Sequence, residues 1–333
     1  MKGIPEYAKE ILANADASAS VQVSVPPEPE PVPEATEPIV DETEIEAIEA
    51  EEEAEAEAPS EPPEEPLKPP RPPRRFEFAF KASSLRTFLA QLAHMADDVK
   101  IHATEGQWLV RTVDPAHVAM IEVSLTDLID CFERVRSTNT LERIQGDVEI
   151  GVDVEKLLAL VKKVKKDDVV QIDVDLPNDQ DKDVLTVTFG GMTRTMPAID
   201  TAGISDPKAP AMTLPARVEV AAGDLLEAAK AAEEITDHVR LTATREGLNV
   251  LGEGDADKVS MDFRHGEKAD VRLEGTEDRY TSLFPLDYLT SFLKVVKDQK
   301  LVLRLGTDVP VRADWEGATK GTYLCAPRIE TTE

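Results

Sequence analysis

Apolar residues recur in two rhythms from residue 76 onward. Phe76, Phe78 and Phe80 alternate with Glu77 and Ala79, the period-two pattern of a half-buried strand. Leu85, Phe88, Leu89, Leu92 and Met95 then recur at intervals of three and four, which predicts an amphipathic helix with Ser83 and Ser84 as its caps. Short strands are expected at 99–104, 108–113 and 118–125, followed by a break near 127–139. A strand at 148–152 leads into a lysine-rich helix starting at Val154. Strands at 169–175 and 184–189, with a segment at 193–196, complete the first half. The second half predicts a strand at 217–220, a helix at 222–235, strands at 239–244, 248–251 and 259–263, a helix at 286–297, and strands at 300–305, 311–315 and 321–325. Each half reads as two β-α-β-β-β units.

The two halves also resemble each other. Asp98-Val-Lys-Ile-His-Ala-Thr-Glu-Gly106 matches His238-Val-Arg-Leu-Thr-Ala-Thr-Arg-Glu-Gly247 at an offset of 140, with one inserted residue. Residues 154–165 match 286–297 at an offset of 132, and Lys162 and Lys165 coincide with Lys294 and Lys297. Between the halves lies Ile199-Asp-Thr-Ala-Gly-Ile-Ser-Asp-Pro-Lys-Ala-Pro210. Gly203, Pro207 and Pro210 break both helix and strand, so 199–211 is expected to be an extended connector. The expected domains are 76–198 and 212–330.

Residues 1–75 fit neither rhythm. They hold 15 of the 24 prolines and 20 of the 66 acidic residues, against 6 basic ones. So little apolar surface cannot offset ordering entropy, and this segment is expected to be a disordered acidic tail. Ile4, Tyr7, Ala8, Ile11 and Leu12 could share one side of a short helix within 4–14. The net charge of −29 divides almost equally, with −14 on the tail and −15 on the rest. Cys131 and Cys325 are far apart in sequence, which argues for a reducing compartment and no disulfide framework. No apolar run approaches the roughly 18 residues of a membrane span. Glu6 and Glu10 stand where a signal peptide needs a basic start and an apolar core.

Catalytic patterns are not apparent. His94, His102, His117, His238 and His265 have no metal-ligand or catalytic spacing and read as isolated structural or surface residues. Asp179-Gln-Asp-Lys-Asp183 starts like a calcium loop, but Val184 replaces the required glycine and Gly190 the bidentate glutamate. It reads as a hairpin turn, and no metal or cofactor is expected. The lysines are more informative. Lys156, Lys162, Lys163, Lys165 and Lys166 crowd one predicted helix of an otherwise acidic body. A solvated face and a phosphate-binding face are both open readings, and the recurrence of Lys294 and Lys297, followed by Lys300, favours the second. The other two helices supply Arg86 and Lys230.

Three motifs in order carry a resemblance: Val113-Asp-Pro-Ala-His-Val-Ala-Met120, Leu305-Gly-Thr-Asp-Val-Pro310 and Tyr323-Leu-Cys-Ala-Pro-Arg-Ile-Glu330. With the Phe76-Glu-Phe start, residues 76–330 resemble the proliferating cell nuclear antigen family of DNA sliding clamps, in its archaeal form. The resemblance implies an α+β DNA clamp fold, with two similar domains, helices lining the inside of a ring and sheets outside. It implies a homotrimer around duplex DNA that tethers DNA polymerase, clamp loader, ligase and nucleases, with no enzymatic activity. Such a protein would act in the cytoplasm at an archaeal nucleoid, or in a eukaryotic nucleus. The ten basic residues just named, Arg86, Lys156, Lys162, Lys163, Lys165, Lys166, Lys230, Lys294, Lys297 and Lys300, would then face DNA. Subunits would join near 191–196 and 259–264, involving Met192, Arg194, Val259, Met261 and Phe263. Partner peptides would dock against Val118, Met120, Ile204, Val309, Pro310, Ala326, Pro327 and Ile329. Ala202 is smaller than the residue typical of that connector, and Ser205 replaces its usual proline. A subunit of a heterotrimer is the nearest alternative. A DNA-modifying enzyme or an acidic, histone-chaperone-like scaffold are alternatives of other classes.

Overall fold

A computed structural model describes residues 74–135, 140–144, 146–176 and 183–328, all within one compact unit. The short helix expected within 4–14, and the tail up to residue 73, lie outside the described residues, as does Ile329. The first half contains β1 (Arg74–Lys81), α1 (Ala82–Leu92), β2 (Asp98–Ala103), β3 (Trp108–Val113), β4 (Ala119–Leu125), β5 (Leu128–Val135), β6 (Thr140–Arg143), β7 (Val148–Asp153), α2 (Val154–Val161), β8 (Val169–Leu176), β9 (Val184–Phe189) and β10 (Met192–Pro197). The second contains β11 (Ala216–Ala221), α3 (Ala222–Glu233), β12 (His238–Thr244), β13 (Gly247–Glu253), β14 (Lys258–Arg264), β15 (Ala269–Leu273), β16 (Arg279–Pro285), α4 (Leu286–Val296), β17 (Lys300–Leu305), β18 (Val311–Glu316) and β19 (Thr319–Cys325). Four β-α-β-β-β units are therefore present, starting at β1, β7, β11 and β16, with β5, β6 and β15 added between them.

Every pairing between the named strands is antiparallel, with one isolated parallel bridge between His265 and Ala269. A six-stranded sheet runs β10-β9-β8-β1-β5-β6, and a four-stranded sheet runs β14-β13-β12-β16. The nine-stranded sheet, β15-β11-β17-β18-β19-β4-β3-β2-β7, joins the two halves where β19 pairs with β4. The helices pack on the apolar face of these sheets, α1 beside α2, α3 beside α4, and α1 against α4. Phe76, Phe78 and Phe80 point into this core, where Trp108 meets Phe78 and Phe80 edge-on at centroid distances of 5.1 and 4.5 Å. Burying aromatic side chains of this size contributes about 1.5–3 kcal/mol each.

Some local expectations need correction. β1 begins at Arg74, two residues before the expected start, because Arg74 forms a bidentate pair with Glu133 at 2.8 and 2.9 Å and Arg75 reaches Asp173 at 3.2 Å. The Arg74 hydrogen bond also holds the Glu133 carboxyl below its usual range. Ser83 and Ser84 do not cap α1. The Ala82 and Ser83 amides donate to the Asp168 and Lys166 carbonyls, and Ser84 donates its hydroxyl to Asp127 at 2.7 Å. The break expected near 127–139 holds β5 and β6. A bulge skips Ile129 between the Ala79–Asp130 and Phe80–Leu128 pairs, so the alternation that would have signalled β5 shifts register. β15 and β16 were also unanticipated.

Candidate functional site

The lysine-rich helix is shorter than its spacing predicts. α2 ends at Val161, and the Lys163 and Val164 amides close tight turns onto the Leu160 and Val161 carbonyls. Lys162 is the C-terminal cap, while Lys163, Lys165 and Lys166 follow the helix as exposed residues around buried Val164. They form a cationic cluster at a helix end, rather than one helical stripe. α4 runs a turn longer by the repeat, so its exposed Lys294 lies in the last turn and Lys297 is the cap.

Other basic candidates are placed differently. Arg86 of α1 donates to the carbonyls of Val161 and Val164 at 3.1 and 2.6 Å, and so caps the end of α2. Lys156 pairs with Asp153 at 2.6 Å; Asp153 also accepts from the Lys156 amide and starts the helix. Lys230 is exposed on α3, among exposed Glu227, Glu233 and Glu234. Lys300 does not face the helices. Its strand buries Leu301, Leu303 and Leu305 on the helix side, and Lys300 sits on the opposite face, 2.7 Å from Glu219. The Lys300 ammonium and the Arg217 guanidinium hold the Glu219 carboxyl down to about 2.

That opposite face of the nine-stranded sheet carries the connector. The Ile199 amide donates to Gly151 of β7 at 2.9 Å, and a Cβ on Gly151 would lie 2.0 Å from the Ile199 carbonyl oxygen. Only glycine permits this approach. A 3-10 turn at Thr201–Gly203 is capped by Asp200, which accepts from the Ala202 amide at 3.0 Å. Thr201 donates to Glu149 of β7 at 3.3 Å, and Asp206 meets His102 of β2 at 3.0 Å and Arg111 of β3 at 3.7 Å. The connector thus crosses β7, β2 and β3 in turn.

An apolar cluster lies at one end of the same face. Met120 is almost fully buried, yet strand alternation places it opposite Ala119 and Ile121, away from the helix-side core. Leu324 pairs across from Met120, and the Ala326 amide donates to Val118 at 2.8 Å. Val311 pairs with Cys325, which brings Pro310 to the same strand end. Val309 and Leu214 lie around Gly306. Val118, Ile204 and Val309 are half-buried, while Pro310 and Pro327 are buried. Sequence reasoning missed Leu214 and Leu324; Leu324, an apolar residue on the polar face of β19, was visible in the alternation. A separate groove of about 820 Å³ on this face is lined by polar residues such as Arg312, Asp314 and Glu122, and does not include Met120.

The motif Asp114-Pro-Ala-His117 holds this end together. Buried Asp114 accepts from the Ala116, Val118 and Ala119 amides at 2.9, 2.7 and 2.6 Å, and from the Tyr288 hydroxyl at 2.9 Å. The resulting tight turn places His117 at φ 55°.

The doubled α+β body aligns with known proteins over nearly their whole length. The chain is 31% identical over 262 residues to the DNA polymerase sliding clamp of Methanococcoides burtonii, covering 77% of this chain and 99% of that protein. It is 32% identical over 261 residues to the corresponding clamp of Methanosarcina mazei, with the same coverage. The chain belongs to the DNA polymerase sliding clamps. No family model matches it. Among solved structures, the C-terminal region of FEN-1 bound to Archaeoglobus fulgidus PCNA aligns with a TM-score of 0.66 and 28% identity, covering 77% of this chain and all of that one. The PCNA of Thermococcus kodakaraensis, at 21% identity and a TM-score of 0.64, agrees in fold.

Among the described residues, six strands of this sliding clamp end its three sheets: β10 and β6, β15 and β7, and β14 and β16. β10 ends the six-stranded sheet, and β14 ends the four-stranded sheet. Met192 and Arg194 of β10 are exposed, with Met192 at 40%. Val259 and Met261 of β14 are half-buried, whereas Phe263 is fully buried in the core of its own chain. Cys131 and Cys325 are both buried free thiols, and burial pushes the Cys131 thiol up to about 11. No described helix is long and apolar enough to cross a membrane.

Proposed function

We propose that this sliding clamp closes into a ring of three identical chains around duplex DNA and tethers DNA polymerase and other replication and repair proteins. Each chain contributes two clamp domains, 76–198 and 212–330, joined by the connector at 199–211. The observation that carries this reading is that both expected joint segments lie on sheet edges, β10 in the first half and β14 in the second. A sheet edge is a template for another strand, and a head-to-tail join of two different edges closes a ring when the rotation fits. Met192, Arg194, Val259 and Met261 would line the joint. Phe263 would support it from inside the core.

The helices would then face the duplex. Lys162, Lys163, Lys165, Lys166, Lys294 and Lys297 would contact phosphates without reading bases, with Lys230 as a weaker contributor. Arg86 and Lys156 would act mainly by completing α2, and Lys300 would take no part. The FEN-1 complex supports docking of a nuclease segment; the outer face would receive it, and DNA polymerase, ligase and clamp loader would use the same surface. Val118, Met120, Ile204, Val309, Pro310, Ala326 and Pro327, with Leu324, would form its apolar wall. The work is that of a scaffold at the chromosome, with no catalytic step of its own.

Light scattering on the full chain tests the ring. A mass of three chains supports it, and a monomer at micromolar concentration overturns the homotrimer.

A further inference from the structure

We infer that His102 is the positioning residue that pins the connector to the sheet, and that its imidazolium form sets how firmly the connector is held for partner docking. His102 lies on β2, on the face away from the helices. Its side chain is only 12% exposed, although both flanking carboxylates are wetter. Its Nδ1 is 2.8 Å from Asp147, in the turn before β7, and its Nε2 is 3.0 Å from Asp206 of the connector. A neutral imidazole has one donor nitrogen and one acceptor. The acceptor nitrogen would face a carboxylate oxygen, lone pair to lone pair. Only the doubly protonated ring donates to both sides.

The surrounding charges point the same way. Glu149, directly across β7, is met by Lys100 at 3.6 Å, and Glu122 of β4 is met by Arg111 at 2.6 Å. Arg111 reaches Asp206 only at 3.7 Å. Four carboxylates, Asp147, Glu149, Asp206 and Glu122, therefore face two permanent cations, Lys100 and Arg111. A charged His102 fits the deficit. Histidine is the side chain that changes charge between about pH 5 and 8. Loss of its proton breaks one of the two bonds and frees either Asp206 or the turn that holds His102 in place. A pinned connector is preorganised for a peptide docking beside it, so binding weakens as the proton leaves. This last step rests on the proposed docking surface.

The test compares the full-length chain with His102→Gln, a neutral side chain that still offers a donor. Hydrogen exchange of the backbone amides at 204–211 is measured for both proteins at pH 5.8 and pH 8.0. Comparing the two at one pH cancels the intrinsic dependence of exchange on pH. The expected result is roughly three- to tenfold slower exchange in the wild type at pH 5.8, the scale of one partly exposed charge-assisted hydrogen bond, with the ratio approaching one at pH 8.0. Asp147→Asn is expected to abolish the same pH-dependent difference. A ratio that does not change with pH overturns the inference, whatever its value. Calorimetry with a synthetic peptide of the FEN-1 C-terminal region is then run at both pH values. Tighter binding by the wild type at pH 5.8 alone supports the link to docking. A pH-dependent exchange difference with unchanged peptide affinity retains the His102 contact but overturns docking beside the connector.

Discussion

Tyr288 on α4 donates its hydroxyl to Asp114, 174 residues earlier, at 2.9 Å. This bond ties the second half of the chain to the β3–β4 turn of the first. Asp114 also organises that turn through three backbone amides. Burial, with the Asp114 charge, pushes the Tyr288 hydroxyl well above its usual range, so it stays a donor at any physiological pH. Tyr288→Phe leaves Asp114 three donors and is expected to cost about 1–2 kcal/mol. Asp114→Ala strands three amides and is expected to cost about 3 kcal/mol or more. Urea unfolding of both variants and the double mutant measures these costs and their coupling.

Stability should depend on pH through His94. Burial pushes its imidazole down to about 4, with backbone contacts at Ala90 and Gln91 opposing the shift. The folded value lies below the unfolded one near 6.5, so the unfolded chain binds the proton first as pH falls. Stability is intact above about pH 6.5 and falls between there and about pH 4, by about 3 kcal/mol. Unfolding free energies across this window, compared with His94→Asn, are expected to differ in slope. Parallel curves would remove His94 as the cause.

Gly151→Ala should loosen the start of the connector. The new methyl group overlaps the Ile199 carbonyl, and the 2.9 Å bond from the Ile199 amide must lengthen or break. A loss of about 1–3 kcal/mol is expected, with faster hydrogen exchange at 199–204.

Changing Lys162, Lys165, Lys294 and Lys297 together to Glu should abolish stimulation of polymerase processivity while leaving the oligomeric mass unchanged. All four are exposed, at the ends of α2 and α4. Primer extension on a long template, with mass from light scattering, separates the two outcomes. Full processivity in the quadruple variant would sink the assignment of this face to DNA.

On the outer face, Ile204→Asp and Pro327→Asp should each weaken binding of the FEN-1 peptide by tenfold or more, roughly the cost of an unpaired charge against apolar anchors. Unchanged calorimetric affinity in both would place docking elsewhere.

Much of the fold was legible in the sequence because its cause is local. Alternation in Phe76–Phe80, and the three-and-four spacing from Leu85 to Leu92, depend only on which side of a strand or helix is dry. The internal repeat reveals the doubled plan because both copies solve the same packing problem. Elements escaped where a distant contact outweighed local pattern. The bulge at Ile129 shifts β5 out of phase, and distant carbonyls at Lys166 and Asp168, rather than serines, complete the start of α1. The candidate sites divide the same way. Composition marks Lys162, Lys165, Lys294 and Lys297 as a recurring cationic set. Only the tertiary structure assigns Arg86 to the end of α2, turns Lys300 to the opposite face, and brings Asp147 and Asp206 to the two nitrogens of His102. Side-chain periodicity is written into neighbouring residues, whereas the partner of a charge depends on which strands the folded chain lays side by side.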